Sequence, residues 1–343
     1  MLGANVCAAS SIRAHVVCPL CATSDPTAYF VLATIHRSGN PVGPYRILRC
    51  RAHGVEFADA DAGVEGGVAT QSAIDSIHGT LDEATRSRYV GFMDRIERLL
   101  GRPGALHDIG CGNGQLLVEA KRRGWIVQGN DLLTSVGPPL AARDIPYFVG
   151  ELSHLDLPSS SLDIVSSFCV LLPHVADPMP DLRTVVRILR PGGWFIAELP
   201  DDGLYRRAAK FLYGLSRGRW ETPLANIYSP DGHRFGYSRR NVPLLLRKCG
   251  FSRVLIEPYR QPPSLSIARF SRRGLVFRIL ALVGTSSLAM AAQRLRMPNH
   301  MVVLAQTPGR LRSDASPPNA LGCGFASAHR TADSAQMPPA EPQ

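Results

Sequence analysis

Three glycines at alternate positions, Gly110, Gly112 and Gly114 in "LHDIGCGNGQLL", follow a short apolar run and precede a helical pattern. Glycine has no Cβ and tolerates positive φ, so a ligand can lie against backbone N–H groups at a helix start. The spacing is not that of a dinucleotide-binding turn, because Gln115 stands where the third glycine belongs. Nor is it a Walker A loop, since no Lys and hydroxyl follow Gly114. The next apolar run, "GWIVQGND", ends on Asp131, about twenty residues past Gly110. That is the offset at which an acidic side chain accepts hydrogen bonds from a ribose diol. A plain loop-starting or capping role for Asp131 is the alternative.

A second constellation is Cys18-x2-Cys21 and Cys50-x2-His53, two knuckle-like pairs on hairpin-like segments. Zinc takes such a Cys3His set in a closed tetrahedral site, which would fold an otherwise coreless N-terminal module. Buried thiols without metal are the plainer reading. A redox pair fits less well, because no helix start follows Cys18-x2-Cys21.

These residues need elements to hold them. "ALHDI" reads as a buried strand and "GQLLVEAKRRG" as a helix, which puts the glycines in a strand-to-helix turn, where open α/β sheets bind ligands. From residue 105 to about 303, short apolar runs alternate with helical patterns, the mark of a parallel sheet flanked by helices. With 343 residues, 45% of them hydrophobic, the chain can bury a substantial core. Four regions follow: a zinc-binding module over 1–60, a linker and helix over 61–104 ("DEATRSRYVGFMDRIERLLG"), the main domain over 105–308, and a Pro/Ala/Ser-rich tail over 309–343 read as disordered.

Beyond the glycines the chain resembles the class I S-adenosylmethionine-dependent methyltransferases over residues 106–308. "HDIGCGNG" looks like their first motif, and "GELSHLDLPSSSLDIV" like the segment entering the fourth strand. "LRTVVRILRPGGWFIAELP" resembles the helix, Pro-Gly-Gly turn and fifth strand. "HRFGYSRRNVPLLLRKCGFSRVLI" and "NHMVVLAQTP" resemble the approaches to the sixth and seventh strands. The resemblance implies a Rossmann-like α/β fold, a seven-stranded sheet with helices on both faces, and S-adenosylmethionine as methyl donor. It places Gly110, Gly112 and Gly114 under the methionine part and ribose, Asp108 at the turn or the donor amine, and Asp131 on the ribose hydroxyls. Glu151 and Leu152 would border the adenine, and Phe168 joins the cofactor-binding set. The N-terminal pairs resemble the zinc-ribbon-like module of methyltransferases acting on sugars or natural products, which usually have Cys at the position of His53. A further departure lies in "FCVLLPHVADP", where Pro173 replaces the family's Glu before His174.

The implied activity is methyl transfer to a small-molecule acceptor, an oxygen of a sugar, polyketide or lipid-linked glycan. C-methylation of a nucleotide sugar, RNA methylation and non-catalytic donor binding are the alternatives. The segment 201–240 is expected to form a lid over the acceptor, with His233 as the candidate catalytic residue beside Tyr228 and Tyr237. Histidine can take a hydroxyl or C–H proton near neutral pH.

The net charge of +10 is concentrated, with twenty basic and five acidic residues between Asp201 and Arg312. Such a surface attracts anions of several kinds. The nucleic-acid reading is weakened because the Asn/Asp-Pro-Pro-aromatic and Pro-Cys signatures of base methyltransferases are missing. Arg206, Arg207, Arg217, Arg219 and Arg234 could clamp a phosphate or face solvent. Within the insertion 258–298, the apolar stretch 272–296 is interrupted by Arg278 and a Gly-Thr-Ser-Ser run, so it reads as an amphipathic helix rather than a membrane span, with peripheral membrane contact as the other option. No signal-like h-region opens the chain, and the expectation is a cytoplasmic protein.

Overall fold

The computed structural model describes residues 17–22, 26–32, 35–37, 40–42, 45–59, 83–221, 224, 227–228, 233–259 and 299–309. The expectations for the linker 61–82, the stretch 272–296 and the tail 310–343 lie outside the described residues.

In chain order the strands and helices are β1 (Pro26–Leu32), β2 (Ile35–Arg37), β3 (Asn40–Val42), β4 (Tyr45–Cys50), β5 (Glu56–Asp59), α1 (Glu83–Leu100), β6 (Ala105–Ile109), α2 (Gln115–Arg122), β7 (Ile126–Asp131), α3 (Gly137–Ala141), β8 (Tyr147–Val149), β9 (Leu162–Phe168), α4 (Leu171–His174), α5 (Met179–Ile188), β10 (Leu189–Pro200), α6 (Leu204–Leu215), β11 (Phe235–Gly236), α7 (Val242–Lys248), β12 (Arg253–Tyr259) and β13 (His300–Gln306).

The central sheet has seven strands in the order β12-β13-β10-β9-β6-β7-β8. The pairs β6–β7, β7–β8, β6–β9 and β9–β10 are parallel, while β13 runs antiparallel to both β10 and β12. The order reverses at β6 and β9, so a crevice opens at their carboxyl ends, the general ligand position in such sheets.

Alternation along the strands divides the core in two. On β10, Trp194 and Ile196 join Val302 and Leu304 of β13, and they meet Phe92, Met93 and Ile96 of α1 and Leu116, Leu117 and Ala120 of α2. Phe195, Ala197 and Leu199 point the other way with Met301, Val303 and Ala305, against Leu182 and Val185 of α5 and Leu245 and Leu246 of α7. Helices therefore cover both faces. The Pro-Gly-Gly turn is taken up inside β10 as a register shift between Leu189 and Trp194, rather than ending the helix–strand joint cleanly.

The N-terminal strands form a second sheet, β1-β4-β5-β11, whose last strand comes from residues 235–236. Cys18, Leu20, Cys50, Val55 and Phe57 belong to the same buried cluster as α5 and α7. The described residues up to Gly309 belong to one compact unit. Among the described residues no helix is long and apolar enough to cross a membrane.

Candidate functional site

The glycine turn lies where the sequence places it, between β6 and α2. Gly110, Gly112 and Gly114 all have positive φ, at 69°, 52° and 74°. At Gly110 a Cβ would stand 2.5 Å from Cγ1 of Val170, and at Gly114 one would stand 2.1 Å from Cδ2 of Leu140. Both the conformation and the close approach demand glycine here. The N–H groups of Gly110 and Cys111 donate to the Asn130 carbonyl at 2.8 and 3.0 Å, fastening the turn to β7.

Asp131 closes β7 with its carboxylate turned back to this turn. Oδ2 accepts from the Gly112 N–H at 3.0 Å and Oδ1 from the Leu133 N–H at 3.1 Å. A carboxylate offers about four lone-pair sites. Two remain for hydroxyl donors, the number a ribose diol supplies, so this residue fits the group expected of it. Asp108 ends deeper: it is 5% exposed and accepts from the Ser166 hydroxyl at 2.7 Å. Burial, with the Asp131 charge adding to it, pushes its carboxyl up to about 7 against the opposing Ser166 bond and Arg88 charge. A cation arriving beside it would ionise it.

The neighbouring histidine is a structural one. His107 is fully buried, its Nε2 is 2.9 Å from Asn130 Oδ1, and burial lowers it to about 4. Asn130 in turn donates through Nδ2 to the Gly150 carbonyl at 2.8 Å, holding the chain just before Glu151. Leu152 is buried and the Glu151 side chain is half exposed. Phe168 ends β9 and packs against Phe92 at 4.3 Å and edge-on to Tyr89 at 6.0 Å.

Beneath these rings lies a buried ion group. The Glu198 carboxylate accepts from the Arg88 guanidinium and lies 2.5 Å from His300 Nδ1, with Arg88 and Glu198 side chains 7% and 0% exposed. Sequence reading missed this group, because no local pattern links α1, β10 and β13.

His233 and His174 come together. Their ring centroids are 4.7 Å apart, and His233 Nε2 is 3.2 Å from Cys169 Sγ. Cys169 was not singled out in the sequence; its only signal is adjacency to Phe168. Tyr228 and Tyr237 are each 1% exposed. The Tyr228 hydroxyl bonds the Glu56 carboxylate across to the N-terminal sheet, and the Tyr237 hydroxyl has no hydrogen-bond partner among the described residues. Neither tyrosine opens onto solvent.

The basic residues divide likewise. Arg206 is 4% exposed, donates to the Tyr237 and Pro200 carbonyls, and stacks over Tyr228. Of the alternatives for this arginine, the solvent-facing one is overturned, because its guanidinium satisfies buried carbonyls. Arg207 remains 61% exposed beside Asp202.

In the N-terminal part, Cys18, Cys21, Cys50 and His53 offer four ligand atoms all within 4.8 Å of one another. Sγ of Cys50 is 3.6 Å from Sγ of Cys21 and 3.6 Å from His53 Nδ1. A tetrahedral zinc with bonds of about 2.3 Å to sulfur and 2.0–2.1 Å to nitrogen has ligand–ligand edges of roughly 3.5–3.8 Å. The donor set and its spacing therefore fit zinc. The first knuckle is tied to the main sheet through Lys248 Nζ of α7, which donates to the Leu20 carbonyl at 2.7 Å.

The fold and the glycine turn define a Rossmann-like sheet of the methyltransferase type. Residues 107–197 match the family model described as methyltransferase domain. The chain is 33% identical over 139 residues to a ubiquinone biosynthesis O-methyltransferase of Paracidovorax citrulli, covering 37% of this chain and 53% of that one. It is 34% identical over 113 residues to a methyltransferase of Claviceps purpurea, covering 30% and 35%. The chain thus spans about half or less of the length of these relatives. Among solved structures, phosphoethanolamine N-methyltransferase 2 of Haemonchus contortus, with S-adenosyl-L-methionine bound, superposes at a TM-score of 0.46 and 17% identity over 69% of this chain and 57% of that one.

Proposed function

We propose that this protein transfers a methyl group from S-adenosylmethionine to an oxygen atom of a small molecule, a sugar, polyketide or lipid-linked glycan. The observation that carries the reading is Asp131, a carboxylate locked against the Gly112 N–H with two acceptor positions still to fill. Gly110, Gly112 and Gly114 would admit the donor against the backbone, Asp108 would meet its ammonium group, Glu151 and Leu152 would border the adenine, and Phe168 would complete the cofactor-binding set. A bound sulfonium supplies an electrophilic methyl, so the chain has mainly to position the acceptor in line and exclude water. His233 stands on the acceptor side, with His174 and Cys169 beside it. Cys18, Cys21, Cys50 and His53 would hold a structural zinc in an N-terminal module over 1–60, with the methyltransferase domain over 105–308.

Calorimetric titration with S-adenosylmethionine, S-adenosylhomocysteine and NAD tests this reading. Micromolar binding of the first two and none of NAD is expected. Near pH 7 donor binding should release protons as Asp108, raised to about 7 in the free protein, ionises against the ammonium; titration in buffers of different ionisation heat reads that release. Binding of NAD, or of neither donor compound, would end the donor assignment.

For the N-terminal site, Cys18→Ser is expected to lose one equivalent of zinc and to raise hydrogen exchange across residues 17–59, because the metal would tie the two knuckles to each other. Unchanged metal content would remove zinc from this site.

A further inference from the structure

We propose that Cys169, His174 and His233 form a second metal site, one that takes a zinc-class divalent ion and keeps a coordination position open for the acceptor. Their ligand atoms all lie within 4.8 Å of one another, and all three residues are partly exposed. The Sγ–Nε2 distance of 3.2 Å lies just inside the roughly 3.5 Å edge of a tetrahedron built on zinc bond lengths. One sulfur and two imidazoles suit zinc, and three protein ligands with one position free is the pattern of catalytic rather than structural sites.

The backbone holds these ligands deliberately. Cys169 sits at φ 60°, a left-handed conformation that a non-glycine residue seldom adopts, and its N–H donates to the Glu198 carbonyl at 2.7 Å. Such strain concentrates at functional positions. His174 ends α4 directly after. The Arg234 N–H donates to the Pro173 carbonyl at 2.6 Å, so the segment bearing His233, just before β11, is pinned beside His174 although the two are 59 positions apart in sequence. The site also adjoins the glycine turn, because Val170, next to Cys169, packs against Gly110.

The role of the ion rests on the methyltransferase reading above; its presence does not. A hydroxyl bound at a divalent ion loses its proton to solvent far more readily than a free one. The resulting oxygen would form the new O–CH3 bond as the CH3–S bond breaks, its electron pair returning to sulfur to leave a neutral thioether.

The full-length protein is stripped with a chelator, reloaded with zinc and analysed for metal per chain. Two equivalents are expected, falling to one in His174→Ala and in Cys169→Ser, while Cys18→Ser keeps the second. A cobalt-loaded Cys18→Ser protein should show a thiolate-to-metal absorption that disappears when Cys169→Ser is added. A wild-type protein that holds one ion, unaffected by His174→Ala, overturns the site, as does a Cys169 thiol alkylated equally fast with and without zinc. S-adenosylhomocysteine titration on the same samples keeps the two claims apart: two ions without binding of S-adenosylhomocysteine refute the methyltransferase reading alone, and its binding with a single ion that survives His174→Ala refutes the second site alone.

Discussion

Asp131→Ala is expected to weaken S-adenosylhomocysteine binding by about 100-fold or more. Each hydrogen bond from a ribose hydroxyl to a carboxylate contributes about 1.5–3 kcal/mol net, and losing two removes at least about 3 kcal/mol, or two powers of ten. The same carboxylate also caps the Gly112 and Leu133 N–H groups at 3.0 and 3.1 Å, so a fall in unfolding free energy of about 1–2 kcal/mol should accompany it. Asp131→Asn separates the two effects. Its single carbonyl oxygen can keep one backbone cap but cannot serve both hydroxyls, so it should recover part of the stability and little of the affinity. Calorimetry beside urea unfolding reads both quantities. Affinity unchanged in Asp131→Ala would mean that the carboxylate only shapes the turn.

The largest effect on stability is expected from Glu198→Ala. The carboxylate lies between Arg88 and His300 with its side chain 0% exposed, and its removal strands the Arg88 guanidinium in a 7% exposed position. Breaking a buried pair from one side costs about 3–5 kcal/mol, whereas replacing both partners by apolar groups is often nearly neutral. Arg88→Met with Glu198→Leu should therefore be clearly more stable than Glu198→Ala, in urea midpoint at pH 7. Additive losses in the double variant would show that the pair is not coupled.

The same group sets an acid limit. Burial alone would raise Glu198, but the Arg88 charge, with His300, outweighs it and holds the carboxyl below its ordinary 4.5. A depressed folded-state value contributes stability that is complete above about pH 4.5 and disappears as pH falls through that lower value. Wild-type stability should drop steeply below pH 4.5, and Glu198→Ala should flatten that part of the curve.

Much of the sheet was legible because its strands are short apolar runs separated by glycine turns and helical patterns. "ALHDI", "IVQGND" and "HMVVLAQ" correspond to β6, β7 and β13, and the seven-stranded order follows the resemblance that those segments carried. Cys18, Cys21, Cys50 and His53 were legible from spacing alone, since knuckle pairs are local. What escaped is what depends on distant segments meeting. Arg206 read as a phosphate clamp or a solvent-facing cation, since charge patterning gives no sign of the carbonyls of Tyr237 and Pro200 that enclose it. β11 has two residues and no alternation to detect. Cys169 acquires interest only when His233, 64 residues later, arrives at its sulfur.

The composite N-terminal sheet bears on how the chain is made. β5 emerges early in synthesis, yet its edge is completed by Phe235 and Gly236. Glu56 meets Lys210 and Tyr228, which follow it by 154 and 172 residues. A nascent chain released or stalled before residue 210 would present an open strand edge with the Glu56 carboxylate still lacking these two partners, a template for association with neighbouring chains. The N-terminal segment should thus mature last rather than first, and fragments ending between β10 and α6 should recruit chaperones where the finished protein does not.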